Sequence, residues 1–298
     1  MRFLSKLALT SFLFCCMLNA TAAAPNIELE KEFSSHIATK YFKFHSNIAL
    51  KKLQVYAEFS EQFVDLVDRD FFKISKKRFP LNAYVLPDKE SFQKFLTEKF
   101  SVKKPPGFGI YLSEANAFVI YDGSGLGTFT HEIAHALVEE SLKNRPAWAI
   151  EGIPTFFEKF FAYSKDNILY ANWGYQNPWR IEDLGDRITK IKLIRVIYGS
   201  EDQSEKRLLS VFLFQQGKLR SYFDLIQAGN KKGYRTYVEA VFDKPLYQID
   251  PIWEAYLKDI ASNKEKHLRI PSSAIFKSEV EMRQFMKANT LPFNSAPL

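Results

Sequence analysis

The chain of 298 residues carries only two cysteines, Cys15 and Cys16, side by side near its start. Nothing downstream can form a disulfide or offer a thiolate to a metal. Long apolar runs are missing beyond residues 7–18, and that one falls short of the roughly 20 residues a membrane-spanning helix needs. No integral membrane span is therefore expected once this leader is removed. Dense basic blocks are absent as well. The net charge of +7 comes from scattered groups such as Lys51-Lys52, Lys76-Lys77-Arg78, Lys103-Lys104 and Lys231-Lys232, interleaved with acids. None of them builds a nucleic-acid motif, so no nucleic-acid partner is expected. The glycine-rich run Asp122-Gly123-Ser124-Gly125-Leu126-Gly127 lacks the Gly-Lys-Ser/Thr ending of a phosphate loop and reads as a connector. No internal repeat is present.

The start of the chain has the composition of a secretory signal. Arg2 and Lys6 precede the apolar run, and Ala20-Thr21-Ala22 or Ala22-Ala23-Ala24 supplies small residues for cleavage. Both cysteines leave with residues 1–24, and the bulky Phe14 ahead of Cys15 does not suit a lipid-anchor site. Losing Arg2 and Lys6 lowers the net charge from +7 to +5. A cysteine-free exported protein fits a periplasmic or secreted location, of bacterial type. With 46% hydrophobic residues and 28 phenylalanines, the remainder can bury a large aromatic core.

Chemistry concentrates in His131-Glu132-Ile133-Ala134-His135. On a helix, residues four apart lie on one face about one turn apart, so both imidazoles can reach one metal ion. Glu132 follows the first histidine directly and projects beside the metal, where a base is needed to take a proton from water. Glu151, in Trp148-Ala149-Ile150-Glu151-Gly152, adds a third protein ligand and leaves one tetrahedral position open. Thr128 and Thr130 are expected as caps ahead of the motif, and Ala136, Leu137 and Val138 continue an apolar face behind it. Glu158, two turns past Glu151, is expected at the surface or behind the ligands.

Together with Pro146-Ala147-Trp148-Ala149-Ile150-Glu151-Gly152-Ile153-Pro154-Thr155-Phe156-Phe157-Glu158, this motif resembles the peptidase-MA-like gluzincins, thermolysin-related zinc metallopeptidases. The resemblance extends over residues 36 to 260, with its specificity in the two motifs. It implies that His131, His135 and Glu151 bind one zinc ion, Zn2+, that Glu132 is the general base and acid, and that a peptide or protein is the substrate. Pro154 stands where the family pattern favours Ala, and should kink its helix or mark the first turn. Phe156 replaces the usual Tyr, keeping an aromatic wall without its hydroxyl.

The expected fold class is α+β and zincin-like. A mixed-sheet N-terminal lobe over residues 25–143 ends in the motif helix, a mainly helical lobe over 144–261 brings Glu151, and a peripheral tail covers 262–298. Strands are expected at Tyr41–His45, Leu81–Leu86, Phe108–Leu112 and Ala117–Tyr121, and helices at Ala49–Val67 and Lys89–Phe100. Further helices are expected at Arg187–Val196, Glu205–Gln216, Lys218–Ala228, Tyr234–Phe242, Pro251–Ile260 and Glu279–Lys287. The resemblance makes Ala117–Tyr121 either an edge strand that pairs with extended substrate or an ordinary internal strand. The aromatic segment Asn172–Trp179 is either a loop near the cleft or one packed on the surface. An oxyanion also needs a donor, and sequence order does not choose among Tyr163, Tyr170, Tyr175 and Tyr198. Two rivals to a peptidase stand beside it: a zinc-containing envelope scaffold that binds a partner without catalysis, and a hydrolase of non-peptide amides.

Overall fold

Ser35–Ala38 (β1) and Phe42–Ser46 (β2) pair antiparallel, with His36 opposite His45. The helix Leu50–Asp70 (α1) then returns the chain so that Leu81–Leu86 (β3) lies parallel to β2. Leu53, Ala57, Val64 and Val67 recur at helical spacing along the buried side of α1. Every residue of β3 is buried, as a central strand covered on both faces requires. Lys89–Phe100 (α2) follows, its start capped by Asp88, whose carboxylate accepts from the Ser91 N–H at 2.7 Å. Gly109–Leu112 (β4) and Ala117–Tyr121 (β5) complete a sheet of order β1-β2-β3-β5-β4. β5 is therefore internal, between β3 and β4, and the edge position belongs to β4. The computed structural model describes residues 29, 31–229 and 234–294.

Leu126–Ser141 (α3), the motif helix, runs out of β5 and packs on Ala147–Phe156 (α4). Next comes a hairpin, Phe161–Lys165 (β6) and Ile168–Asn172 (β7), in the lobe expected to be mainly helical. The helices Pro178–Leu184 (α5), Leu193–Ile197 (α6), Gln203–Gln215 (α7), Leu219–Gln227 (α8), Tyr234–Phe242 (α9), Leu246–Ser262 (α10) and Lys264–Leu268 (α11) follow. The expected helix at Arg187–Val196 is broken: residues 185–190 form a 3₁₀ turn, and only Leu193–Ile197 is α-helical. Pro251 lies inside α10, five residues beyond its first residue, Leu246. Ala274–Phe276 (β8) pairs parallel with β6, and Glu279–Ala288 (α12) packs on this second sheet, of order β7-β6-β8. Residues past 262 are thus built into the second lobe through backbone pairing.

The whole is a mixed α+β fold. One aromatic core joins its two parts: Phe59 stacks on Phe160 at 5.9 Å, and Phe63 meets Phe157 edge-on at 5.5 Å. Each buried aromatic removes about 150–250 Å² from water, roughly 4–6 kcal/mol of transfer free energy before entropy is charged. Among the described residues no helix is long and apolar enough to cross a membrane. The expected leader, with Cys15 and Cys16, lies outside the described residues.

Candidate metal centre

α3 begins at Leu126, so Thr128 and Thr130 lie inside its first turns and do not cap it. Their hydroxyls turn back to main-chain carbonyls: Thr128 donates to Ser124 at 2.9 Å, and Thr130 to Phe157 at 2.7 Å. The second bond ties α3 to the end of α4. A closer contact does the same at Gly127, where a Cβ would come within 2.4 Å of the Glu158 carbonyl oxygen. Only glycine permits that approach.

This docking brings three donor atoms together. The Nε2 atoms of His131 and His135 are 3.0 Å apart, and Oε2 of Glu151 lies 3.7 Å from the first and 3.6 Å from the second. An ion with bonds of about 2.0–2.2 Å needs tetrahedral donors about 3.3–3.6 Å apart. Two sides of the triangle are close to that size and the third is slightly shorter, so His131, His135 and Glu151 could hold a metal ion. Their side chains keep 12%, 16% and 14% of their surface exposed. The group is therefore not fully sealed from solvent. Gln203, in α7, donates from Nε2 to Oε2 of Glu151 at 3.0 Å and fixes that carboxylate. Pro154 sits in the last turn of α4, not its first, so Glu151 is carried by the regular part of the helix.

Glu132 is 6% exposed and lies against Gly109 of β4. Burial pushes its carboxyl up to about 7; His131 opposes this, while Glu151 and Glu158 add to it. The backbone N–H of Tyr111 in β4, nearby, favours the charged form. The Tyr111 ring lies parallel to that of His135, with centroids 6.3 Å apart, and its hydroxyl donates to Glu139 at 2.8 Å. Burial, with the nearby charges of His131 and Arg145, holds His135 well below the ordinary histidine value. It stays neutral, as a metal ligand must. His131 is raised: burial works against its charge, but Glu158, Glu132 and Glu151 outweigh it.

Glu158 is the residue whose role the sequence left open. It is buried, not at the surface, and its Oε1 stands 3.1 Å from Nδ1 of His131, which has no other hydrogen-bond partner; the approach is short but off the ideal line. Its other contacts are full hydrogen bonds. Arg180 grips both oxygens through Nη2 and Nε (the latter 2.8 Å), and Asn177 donates to Oε2 at 2.9 Å. Burial would raise this carboxyl, but the guanidinium wins and holds it well below the carboxylate range. A carboxylate behind a ligating histidine fixes the ring and its tautomer. Asn177 and Arg180 come from the end of the Asn172–Trp179 segment and the residue after it. That segment is mostly buried beneath the site: Trp173 and Tyr175 are in the core, and only Trp179 is largely exposed, its ring 4.0 Å from the Arg180 guanidinium.

The tyrosines left open as oxyanion donors are scattered. Tyr163 and Tyr170 stack on each other in the second sheet, the Tyr175 hydroxyl is held by Asn172 and the Pro292 carbonyl, and Tyr198 is exposed after α6. Tyr111 and Arg145, which the sequence did not single out, stand nearer to His135. The chain matches no protein-family model and no curated protein.

Proposed function

We propose that the protein is an exported zinc metallopeptidase of gluzincin type that hydrolyses peptide bonds. The observation that carries this reading is the convergence of two imidazoles and one carboxylate at metal-ligand spacing, with a buried fourth group, Glu132, beside them. A purely structural site closes its coordination with four protein ligands and has no use for an adjacent base. The two nitrogens and one oxygen suit zinc, which when bound supplies Lewis acidity, lowering the pKa of a water toward about 7 and polarising a carbonyl.

The protein's own groups do the rest. His131, His135 and Glu151 would hold the ion, with Glu158 and Gln203 fixing two of them. Glu132 takes the proton of the attacking water and returns it to the leaving amine. β4, as the edge strand next to α3, offers backbone groups to an extended peptide. The experiment compares wild type and Glu132→Gln for zinc content and for cleavage of an unstructured peptide library, with and without a chelator. Chelator-sensitive cleavage is expected, with Glu132→Gln keeping zinc and losing about 10²-fold or more in turnover. Zinc-loaded protein that cleaves no peptide, or Glu132→Gln with normal turnover, refutes the proposal.

A further inference from the structure

β4 lies along α3 in close register, with Gly109 against Thr128 and Glu132 and Tyr111 against His135. A Cβ placed on Gly109 would come within 2.9 Å of three atoms: Cγ and Oε1 of Glu132 and Cγ2 of Thr128. Non-bonded carbons rest about 3.5–4.0 Å apart, so a methyl group there would have to displace something. The backbone itself makes no demand for glycine, because Gly109 is not among the glycines with positive φ. Gly107, two residues earlier, shows the contrast: a Cβ there meets nothing within 4 Å.

The same strand borders the carboxylate further along. Tyr111 lies opposite Phe118 in β5, and its backbone N–H is near enough to Glu132 to favour the charged carboxylate. Gly109 is two residues away and shares its face. One residue leaves room for the side chain, and the other has an amide that senses its charge.

We propose that Gly109 is a positioning residue: its missing side chain is the slot that lets the Glu132 carboxylate rest against β4, near the Tyr111 N–H and beside the metal donors. The inference rests on Glu132 being the base of the proposed reaction. A methyl at Gly109 pushes the carboxylate away while the three ligand atoms stay where they are. Misplacing a reacting group by about 1 Å costs on the order of 10²-fold. The loss should fall on kcat, with KM and zinc content near those of wild type.

The test has a part that needs no turnover. The Tyr111 amide proton is assigned by NMR in wild type, Gly109→Ala, Gly107→Ala and Glu132→Ala. The expected result is that Gly109→Ala and Glu132→Ala both shift this resonance, as the nearby carboxylate is displaced or removed, while Gly107→Ala leaves it in place. If Glu132→Ala does not move it, the carboxylate does not rest against β4; if Gly109→Ala alone does not, the slot is wrong. The kinetic part measures kcat and KM for a cleaved peptide. Gly109→Ala should lose about 10- to 100-fold in kcat, and adding Thr128→Ser, which deletes Cγ2 but keeps the hydroxyl, should recover part of it. Full kcat in zinc-loaded Gly109→Ala overturns the proposal. Wild-type protein that cleaves no peptide instead overturns the peptidase reading, and the amide shifts still decide the slot.

Discussion

Replacing Glu158 by Gln removes one charge from the interior and almost no volume. In the native structure this carboxylate and Arg180 are 8% and 4% exposed, and the guanidinium has both Glu158 oxygens as acceptors. An amide in its place offers one acceptor and leaves a buried cation without its counter-charge. Breaking a buried pair in this way costs about 3–5 kcal/mol, far more than an exposed pair would. A second loss falls on the metal, because an uncharged group behind His131 makes that imidazole a weaker donor. Such changes typically cost about 10–100-fold in metal affinity, or about 1.4–2.7 kcal/mol. Urea unfolding of the metal-free protein isolates the first loss, and competition with a chromophoric chelator isolates the second. Adding Arg180→Met should recover at least about 2 kcal/mol of the unfolding free energy, since it removes the orphaned cation. If Glu158→Gln unfolds at the wild-type urea midpoint and holds zinc as tightly, the ion pair does not do what its geometry implies. A double variant less stable than the single would equally refute the orphan-charge argument.

Two further outcomes follow from the same structure. Glu151→Ala leaves two imidazoles, too few for a stable three-ligand site, so zinc content measured by atomic emission should fall to near background; retention of stoichiometric zinc would show that another group is the third ligand. Lys159 is buried, with its ammonium on the Pro271 carbonyl at 2.9 Å, and burial, aided by Arg207, lowers it from 10.5 to about 8. Between pH 8 and 10.5 the unfolded chain therefore binds more protons here than the folded one, so stability rises with pH through that window, by an amount on the order of 3 kcal/mol at most. Lys159→Met should flatten the urea midpoint across pH 8 to 10, and an unchanged slope would exclude Lys159 as its source.

The elements best read from sequence are those whose signals are local. β3, α2 and β5 occur at the residues expected, because each is a continuous apolar or capped segment bounded by turn residues. The order of strands is a different matter. Nothing in Ala117–Tyr121 says that β4 will fold back and take the edge, since that is decided by pairing across the sheet. β8 has three residues and pairs with β6 more than a hundred positions away, so it has no local signature. The β6–β7 hairpin did have one. Asp166 and Asn167 both adopt positive φ, as a two-residue hairpin turn requires, and Asx residues are favoured there. It was obscured by the helical pattern that surrounds it. At the site, helical spacing pointed to His131 and His135 and the family resemblance to Glu151, whereas Glu158 depends on Asn177 and Arg180, which only the fold brings to it. Gly109 is likewise silent in sequence, because its constraint comes from a neighbouring helix.

The placement of the indoles gives this molecule a built-in optical reporter. Trp148, Trp173 and Trp253 are buried at 0–1% exposure, whereas Trp179 is 53% exposed with a guanidinium against one face. An aqueous quencher such as acrylamide reaches Trp179 first, so its emission can be separated from the other three. That ring is stacked on Arg180, Arg180 is clamped on Glu158, and Glu158 stands behind His131. Fluorescence at the surface thus reads the state of a carboxylate that solvent barely touches, with no label attached.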